Sequence, residues 1–273
     1  MKIDHMSVSR KKCFRQCAQQ YKFKYHEHVK SPVPEPEYFV YGKVVHKIAE
    51  EYVLGRGKLS IGDISQQVLR GKILVDEGKE LIPKLSAEYT RKLQKHLRSI
   101  QKLTEQIGFD GEVEWAFDYD LDPPNHKMLV GFLDRLIVRG ETAYVIDYKT
   151  TKKSKWRTNK TTVTTDLQLR TYARMVQKYF NLKPENIKTA LYFLEGEELL
   201  AASFSAASLA LVEADLKEEF LSIEAADPNK VWGNVGPMCK FCDYNTLCPF
   251  YKPMSKAAEA WDGDMSNMST FPE

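Results

Sequence analysis

The chain has 273 residues, 43 % of them hydrophobic and 28 % charged, with a formal net charge of only +3. That length buries a real core in one large domain or two small ones, and the balance is ordinary for a soluble globular protein. No apolar run reaches the ~18–20 residues that a membrane span requires, and the opening MKIDHMSVSRKK lacks the apolar stretch of a secretion signal.

The expectation is therefore a protein of the reducing cytoplasm, whose five cysteines suit metal binding better than disulfides. Charge is distributed unevenly. Residues 10–30 (RKKCFRQCAQQYKFKYHEHVK) and 149–160 (KTTKKSKWRTNK) are basic, and the last dozen are acidic. A locally basic face on a near-neutral protein can hold a phosphate backbone.

Ser7 and Ser9 predict the cap of a helix running through the basic segment to about His28. The Pro-rich stretch 31–37 then forms a linker. Residues 37–54 have apolar positions at helical spacing, with Gly55 as a stop. Two further helices are expected near 62–75 and 86–107. The period then changes: 112–121 alternates, 122–125 (DPPN) is a turn, and 127–138 and 142–150 read as strands joined by a short turn at Arg139–Glu141. A helix at about 166–182, strands at 187–195 and 199–204, and a helix at 206–225 complete the pattern. This order predicts an α/β fold: one mixed sheet flanked by helices, with a helical N-terminal part packed on it. Residues 1–260 are read as one domain and 261–273 as a disordered acidic tail.

The strand at 127–138 carries Asp134, and the next carries Asp147 and Lys149. Strand side chains alternate, so Asp147 and Lys149 share a face that Asp134 can reach from the neighbouring strand. Their apolar surroundings (Leu133, Tyr144, Val145, Ile146) make unpartnered charge expensive there. Two aspartates can hold a hard cation such as Mg²⁺ or Mn²⁺. The ion activates a water and neutralises charge on a phosphate, while a lysine orients that water or stabilises the transition state.

A second constellation lies in the tail: Cys239, Cys242 and Cys248, with two and five residues between them. Three thiolates this close form a cradle that needs a fourth ligand. Cys17 is the candidate, with Cys13, one helical turn before it, as a substitute. Four thiolates accept either Zn²⁺ or a [4Fe–4S] cluster, and the spacing alone leaves both open.

GFLDRLIV followed by VIDYKT resembles the core of RecB-like PD-(D/E)XK nucleases, with their G-x-x-D-R and D-x-K-T runs. Gly42 and His46 resemble the family's G-x-x-x-H helix, and Gln168 and Tyr172 its Q-x-x-x-Y helix. Glu112 or Glu114 resembles its acidic residue before the hairpin, Glu114 fitting the spacing better. The resemblance spans roughly residues 7–250. It implies a restriction-endonuclease-like fold and phosphodiester hydrolysis. It further implies a metal held by His46, Asp134, Asp147, the Tyr148 carbonyl and Glu114, with Gln168 and Tyr172 joining Asp134, Asp147 and Lys149 in the catalytic set. The cysteines resemble the iron–sulfur subset, which includes AddB and the CRISPR adaptation nucleases. That implies a cluster on Cys17, Cys239, Cys242 and Cys248, clasping the two ends of the domain. Ser7, Ser9, Phe14 and Cys17 fit the subset's N-terminal motif, and Ala18 stands where it has proline.

Two segments are expected to grip DNA: Lys11, Lys12 and Arg15 in the first helix, and Lys152, Lys153, Trp156 and Arg157 after the catalytic strand. The activity implied is an exonuclease acting on single strands or duplex ends in recombination, repair or replication, with a protein partner in those processes. It suits a bacterial or phage-infected cytoplasm. The alternative is a non-catalytic DNA-binding or zinc-bound interaction module that keeps the fold.

Overall fold

A computed structural model describes residues 1–75, 83–151 and 158–251. The helices are α1 (Val8–Gln16), α2 (Ala18–Tyr21), α3 (Glu37–Leu54), α4 (Ile61–Leu69), α5 (Ala87–Ile107), α6 (Leu167–Phe180) and α7 (Ala206–Ala225). The strands are β1 (Glu112–Asp120), β2 (Met128–Arg139), β3 (Thr142–Lys149), β4 (Ile187–Phe193) and β5 (Glu198–Ala202), in the order β1-β2-β3-β4-β5. All neighbours are antiparallel except β3 and β4. That parallel pair requires a crossover, which α6 supplies.

The sheet lies between two helical layers, as the expected α/β class requires. On one face α3, α4 and α5 bury Val44, Ile48, Leu93 and Ile100 against Ile146 and Tyr192. On the other, α1, α6 and α7 bury Phe14, Leu169 and Leu216 against Leu133, Val145 and Leu191. Among the described residues, no helix is long and apolar enough to cross a membrane.

Two helices are shorter than expected. α4 ends at Leu69, because Gly71 takes a left-handed turn (φ +70°) just beyond it. The expected helix from Ser7 to His28 breaks at Cys17, whose backbone is extended (φ −163°, ψ 110°), before resuming as α2 and a π turn over Lys22–His26. A break frees backbone groups on both sides of it. The C-terminal segment satisfies them: Gln19 N–H donates to the Trp232 carbonyl (3.1 Å), and Asn234 Nδ2 donates to that of Gln16 (3.1 Å). Sequence periodicity has no access to so distant a partner.

The feature that places the site is a fork in the sheet. The β2–β3 ladder runs from Arg139↔Thr142 to Arg135↔Ile146 and stops, so Asp134 and Asp147 are the first residues where the strands part. Beyond that point β2 stays with β1, and β3 with β4. The freed edge of β2 takes the N-terminal segment instead. Met6 N–H donates to the Met128 carbonyl (2.7 Å), and Val130 N–H donates to that of Met6 (2.9 Å).

Candidate active site

Three acidic residues line up across the fork. Val113 pairs with Arg135 and Trp115 with Leu133, so Glu114 falls opposite Asp134, although the ladder skips that pair. Glu114 holds a left-handed backbone (φ +46°), a sparsely populated conformation for a residue with a side chain. Asp134 in turn stands opposite Asp147 by the register of the next ladder. From α3, His46 reaches the same point, its Nδ1 at 3.4 Å from Asp134 Oδ1. One ligand atom from each of His46, Glu114 and Asp134 lies within 4.8 Å of the others. That spacing is on the scale of ligand atoms gathered around one divalent cation. Glu112, one register step off, pairs with Leu136 and is exposed.

Asp147 lies outside that trio and heads a second network. It is buried, with Lys149 Nζ at 2.6 Å from Oδ2 and Gln168 Nε2 donating to Oδ1 at 2.8 Å. Lys149 can occupy only part of the acceptor capacity of this buried carboxylate oxygen, so Oδ2 keeps a lone pair to offer. Lys149 Nζ donates to Gln168 Oε1 (3.2 Å), and Gln168 Nε2 also donates to the Tyr172 hydroxyl (2.7 Å). Asp166 caps α6 by accepting from Leu169 N–H, which sets Gln168 and Tyr172 on the helix face turned to the fork.

The backbone joins the two networks. Tyr148 N–H, which has lost its ladder partner, donates to Asp134 Oδ2 (2.7 Å). The carbonyl of Lys149 accepts from Leu194 N–H on the β4 side (3.1 Å). Alternate residues of a strand aim their backbone groups at opposite neighbours, so Tyr148 directs its carbonyl to the β2 side, toward Asp134. Arg135, next to Asp134, turns away. Fully buried, it donates to the carbonyls of Gly108 and Asp110 and ties α5 to β1.

Burial and mutual charge set the protonation states. Burial disfavours charge on His46, but Asp134 beside it overrides this and lifts the imidazole to about 9. Burial pushes Asp134 up, but the charge and hydrogen bond of His46, the Tyr148 N–H and the Lys149 charge together hold it low. Burial, and then the Asp134 charge, push Asp147 up to about 6. Lys149 is raised despite its burial, chiefly by Asp147. Burial raises Glu114, with Asp134 adding to it, and lifts the Tyr172 hydroxyl well above the ordinary phenol range. Lys149 is thus a fixed cation at neutral pH and Tyr172 a neutral hydroxyl.

A metal on His46 must displace its proton. Mn²⁺ affinity is therefore expected to rise about tenfold per pH unit from pH 7 and to level off near the pKa of His46. Calorimetric titration in buffers of different ionisation enthalpy should find about one proton released per ion at pH 7, lost in His46→Gln. A pH-independent affinity would contradict His46 as a ligand.

The cysteines occupy a separate place. Cys17, Cys239, Cys242 and Cys248 line one cavity of ≈ 430 Å³ between the break after α1 and the C-terminal loop. Among the described residues, no three of their sulfurs lie within 4.8 Å of one another. Cys13 does not line this cavity; it packs against the core, and burial pushes its thiol up to about 12. Protein contacts already join the two segments: the Tyr244 hydroxyl donates to the Val29 carbonyl (3.2 Å), and Asn234 Nδ2 to that of Gln16 (3.1 Å).

The basic residues divide. Lys11 points inward, 2.6 Å from Asp215 and 3.3 Å from the buried Glu219, so it fastens α1 to α7 instead of facing DNA as expected. Arg15 is largely exposed but bonds Glu219 through Nε (2.6 Å). Lys12 is exposed. Lys152, Lys153, Lys155, Trp156 and Arg157, and the tail 261–273, lie outside the described residues.

Comparison with known proteins adds one decisive match: the model of the PD-(D/E)XK nuclease superfamily fits residues 5–249. No curated protein matches. Among solved structures, the crystal structure of SSO0001 is similar at 16 % identity, covering 85 % of this chain and 95 % of that one with a TM-score of 0.38, too distant to carry an argument.

Proposed function

This chain belongs to the PD-(D/E)XK nuclease superfamily, and on that premise we propose that it is a divalent-metal-dependent DNA nuclease. The observation that carries the reading is the meeting of His46, Glu114 and Asp134 beside the Lys149–Asp147–Gln168 network at the fork. His46, Glu114 and Asp134 hold Mg²⁺ or Mn²⁺, with Asp147 through its spare Oδ2 lone pair and the Tyr148 carbonyl completing the shell. When bound, the ion activates a water and neutralises phosphate charge. Lys149, held protonated, stabilises the charge that develops on the phosphate and is not the base that deprotonates the water. Gln168 fixes Lys149 and Asp147 relative to each other, and Tyr172 fixes Gln168.

The finer reading is an exonuclease acting on single strands or duplex ends in recombination, repair or replication, with protein partners in those processes. Cys17, Cys239, Cys242 and Cys248 hold a [4Fe–4S] cluster. In support, the four cysteines line one cavity and are free thiols, the donor set that such a cluster takes.

The test is digestion of end-labelled single- and double-stranded DNA with Mg²⁺ or Mn²⁺ beside an Asp134→Asn control. Cleavage is expected only with metal, falling at least a hundredfold in the control. Absence of cleavage, or an undiminished rate in the control, would falsify the mechanism. Release of mononucleotides from labelled ends is the expected exonuclease signature, and internal cuts would replace it with an endonuclease.

A further inference from the structure

Next to Gln168 and Tyr172 the fork opens into a cavity of ≈ 420 Å³ whose walls include Ser9 and Lys12 of α1 and Gly131 and Phe132 of β2. Its volume falls within the ~300–1,000 Å³ typical of small-ligand sites. The two walls differ in chemistry. Lys12 is exposed and makes no ion pair or hydrogen bond among the described residues, unlike its neighbour Lys11. Phe132, which lines the same cavity two residues before Asp134 in β2, is 58 % exposed. Gly131 keeps the floor flat: a Cβ there would stand 2.4 Å from the Phe117 ring.

An exposed aromatic side chain and an unpaired cation on the walls of one cavity that Gln168 and Tyr172 also line match a single nucleotide with one apolar π-face and one phosphate. A base inside a duplex is already stacked on both sides and cannot offer its face to Phe132. An unpaired base can, and aromatic stacking is tolerant of which base it is. We infer that this groove seats the nucleotide next to the scissile phosphate, with its base on Phe132 and a phosphate on Lys12, and so selects DNA whose bases are unpaired. The inference rests on the nuclease reading above and names its substrate class. Lys12 supplies attraction without selectivity, since a phosphate contact carries no information about pairing. Phe132 supplies the selectivity.

The experiment is binding by fluorescence anisotropy without added divalent metal, so that its outcome does not depend on cleavage. Three fluorescein-labelled probes are compared: a 12-residue oligothymidine, a 12-residue abasic strand of the same backbone, and a blunt hairpin duplex. The wild type is expected to bind oligothymidine about tenfold more tightly than the abasic strand, the scale of one base–aromatic stack. Phe132→Ala should bring that ratio close to one and leave duplex binding unchanged, and Phe132→Tyr should keep it. Phe132 is exposed, so truncating it removes little core packing, and the tyrosine variant checks that the fold is kept. An unchanged ratio in Phe132→Ala, or an equal loss on all three probes, would overturn the inference. Failure of the nuclease reading has a different signature: no cleavage with metal while base-dependent binding persists.

Discussion

Lys149→Ala is expected to lower metal-dependent DNA cleavage by a factor of about 10²–10³, the scale of removing one preorganised charge-stabilising group, while DNA affinity changes little. The ammonium is suited to this role by its setting. Asp147 holds it at 2.6 Å, Gln168 accepts from it, and its side chain keeps 30 % of its surface open toward the fork. Because Asp147 raises its pKa, it carries its proton throughout the neutral range. A lysine acting as general base would show a rate rising with pH through its own titration; a charge stabiliser would not. Removing it also leaves the buried Asp147 without its cation, so the carboxyl, already pushed up to about 6, should climb further. The variant should therefore also lose thermal stability, which Mn²⁺ restores in part. Gln168→Ala makes the comparison sharper. If Gln168 only fixes its two neighbours, it should cost about tenfold in kcat with KM unchanged. A loss as large as that of Lys149→Ala, shared with KM, would move Gln168 into contact with the substrate. Rates and melting temperatures of both variants, with and without Mn²⁺, decide between these outcomes.

Much of this site was legible in the sequence because its residues are local to strong patterns. The hairpin that carries Asp134, Asp147 and Lys149 has unbroken apolar runs on both strands. The helix bearing His46 has clear 3.6-residue spacing and ends at Leu54 before Gly55, as expected. Spacing favours Glu114 over Glu112, and the register sets Glu114 opposite Asp134. What spacing could not reveal is the fork. The parting of β2 from β3 depends on Asp134 taking the Tyr148 N–H, and on Met6 covering the edge that is freed. Neither leaves a periodic trace. The strained φ of Glu114 is equally silent, since nothing in GEVEWAF departs from an ordinary alternating strand. The same limit explains Lys11, which belongs to a basic run by sequence but meets Asp215 and Glu219 more than two hundred positions away. Phe132 carries no signal in the sequence, because an aromatic in a strand normally packs inside, and only the fold shows it in the open.

The broken N-terminal helix leads to the other large effect. Cys17→Ala is expected to yield protein without the brown thiolate–iron absorbance and with a markedly lower melting temperature. The extended backbone at Cys17 breaks the helix where the chain meets the C-terminal loop, and Cys17 lines one cavity with Cys239, Cys242 and Cys248. Loss of a structural metal group belongs among the few substitutions that cost about 4 kcal/mol or more. At roughly 2–4 °C per kcal/mol for a domain of this size, Tm should fall by about 8–16 °C. The fold should not vanish altogether. Gln19 still donates to the Trp232 carbonyl, and Tyr244 to that of Val29, so the two segments keep contacts that owe nothing to metal. Cys13→Ala is the matched control: its thiol packs on the core outside the cavity, so iron content should be unchanged and the loss confined to about 1–2 kcal/mol of packing. Iron analysis, visible absorbance and thermal melts of the two variants give opposite predictions for two cysteines four residues apart. Iron retained in Cys17→Ala but lost in Cys13→Ala would exchange their roles. Stoichiometric zinc in the wild type, with no iron, would replace the cluster with a single ion. Because this cavity shares no lining residue with the His46–Glu114–Asp134 trio, residual cleavage by folded Cys17→Ala protein should keep its wild-type dependence on Mn²⁺. An unchanged Mn²⁺ dependence would assign the cysteines to the fold, and an altered one would assign them to the chemistry at the fork.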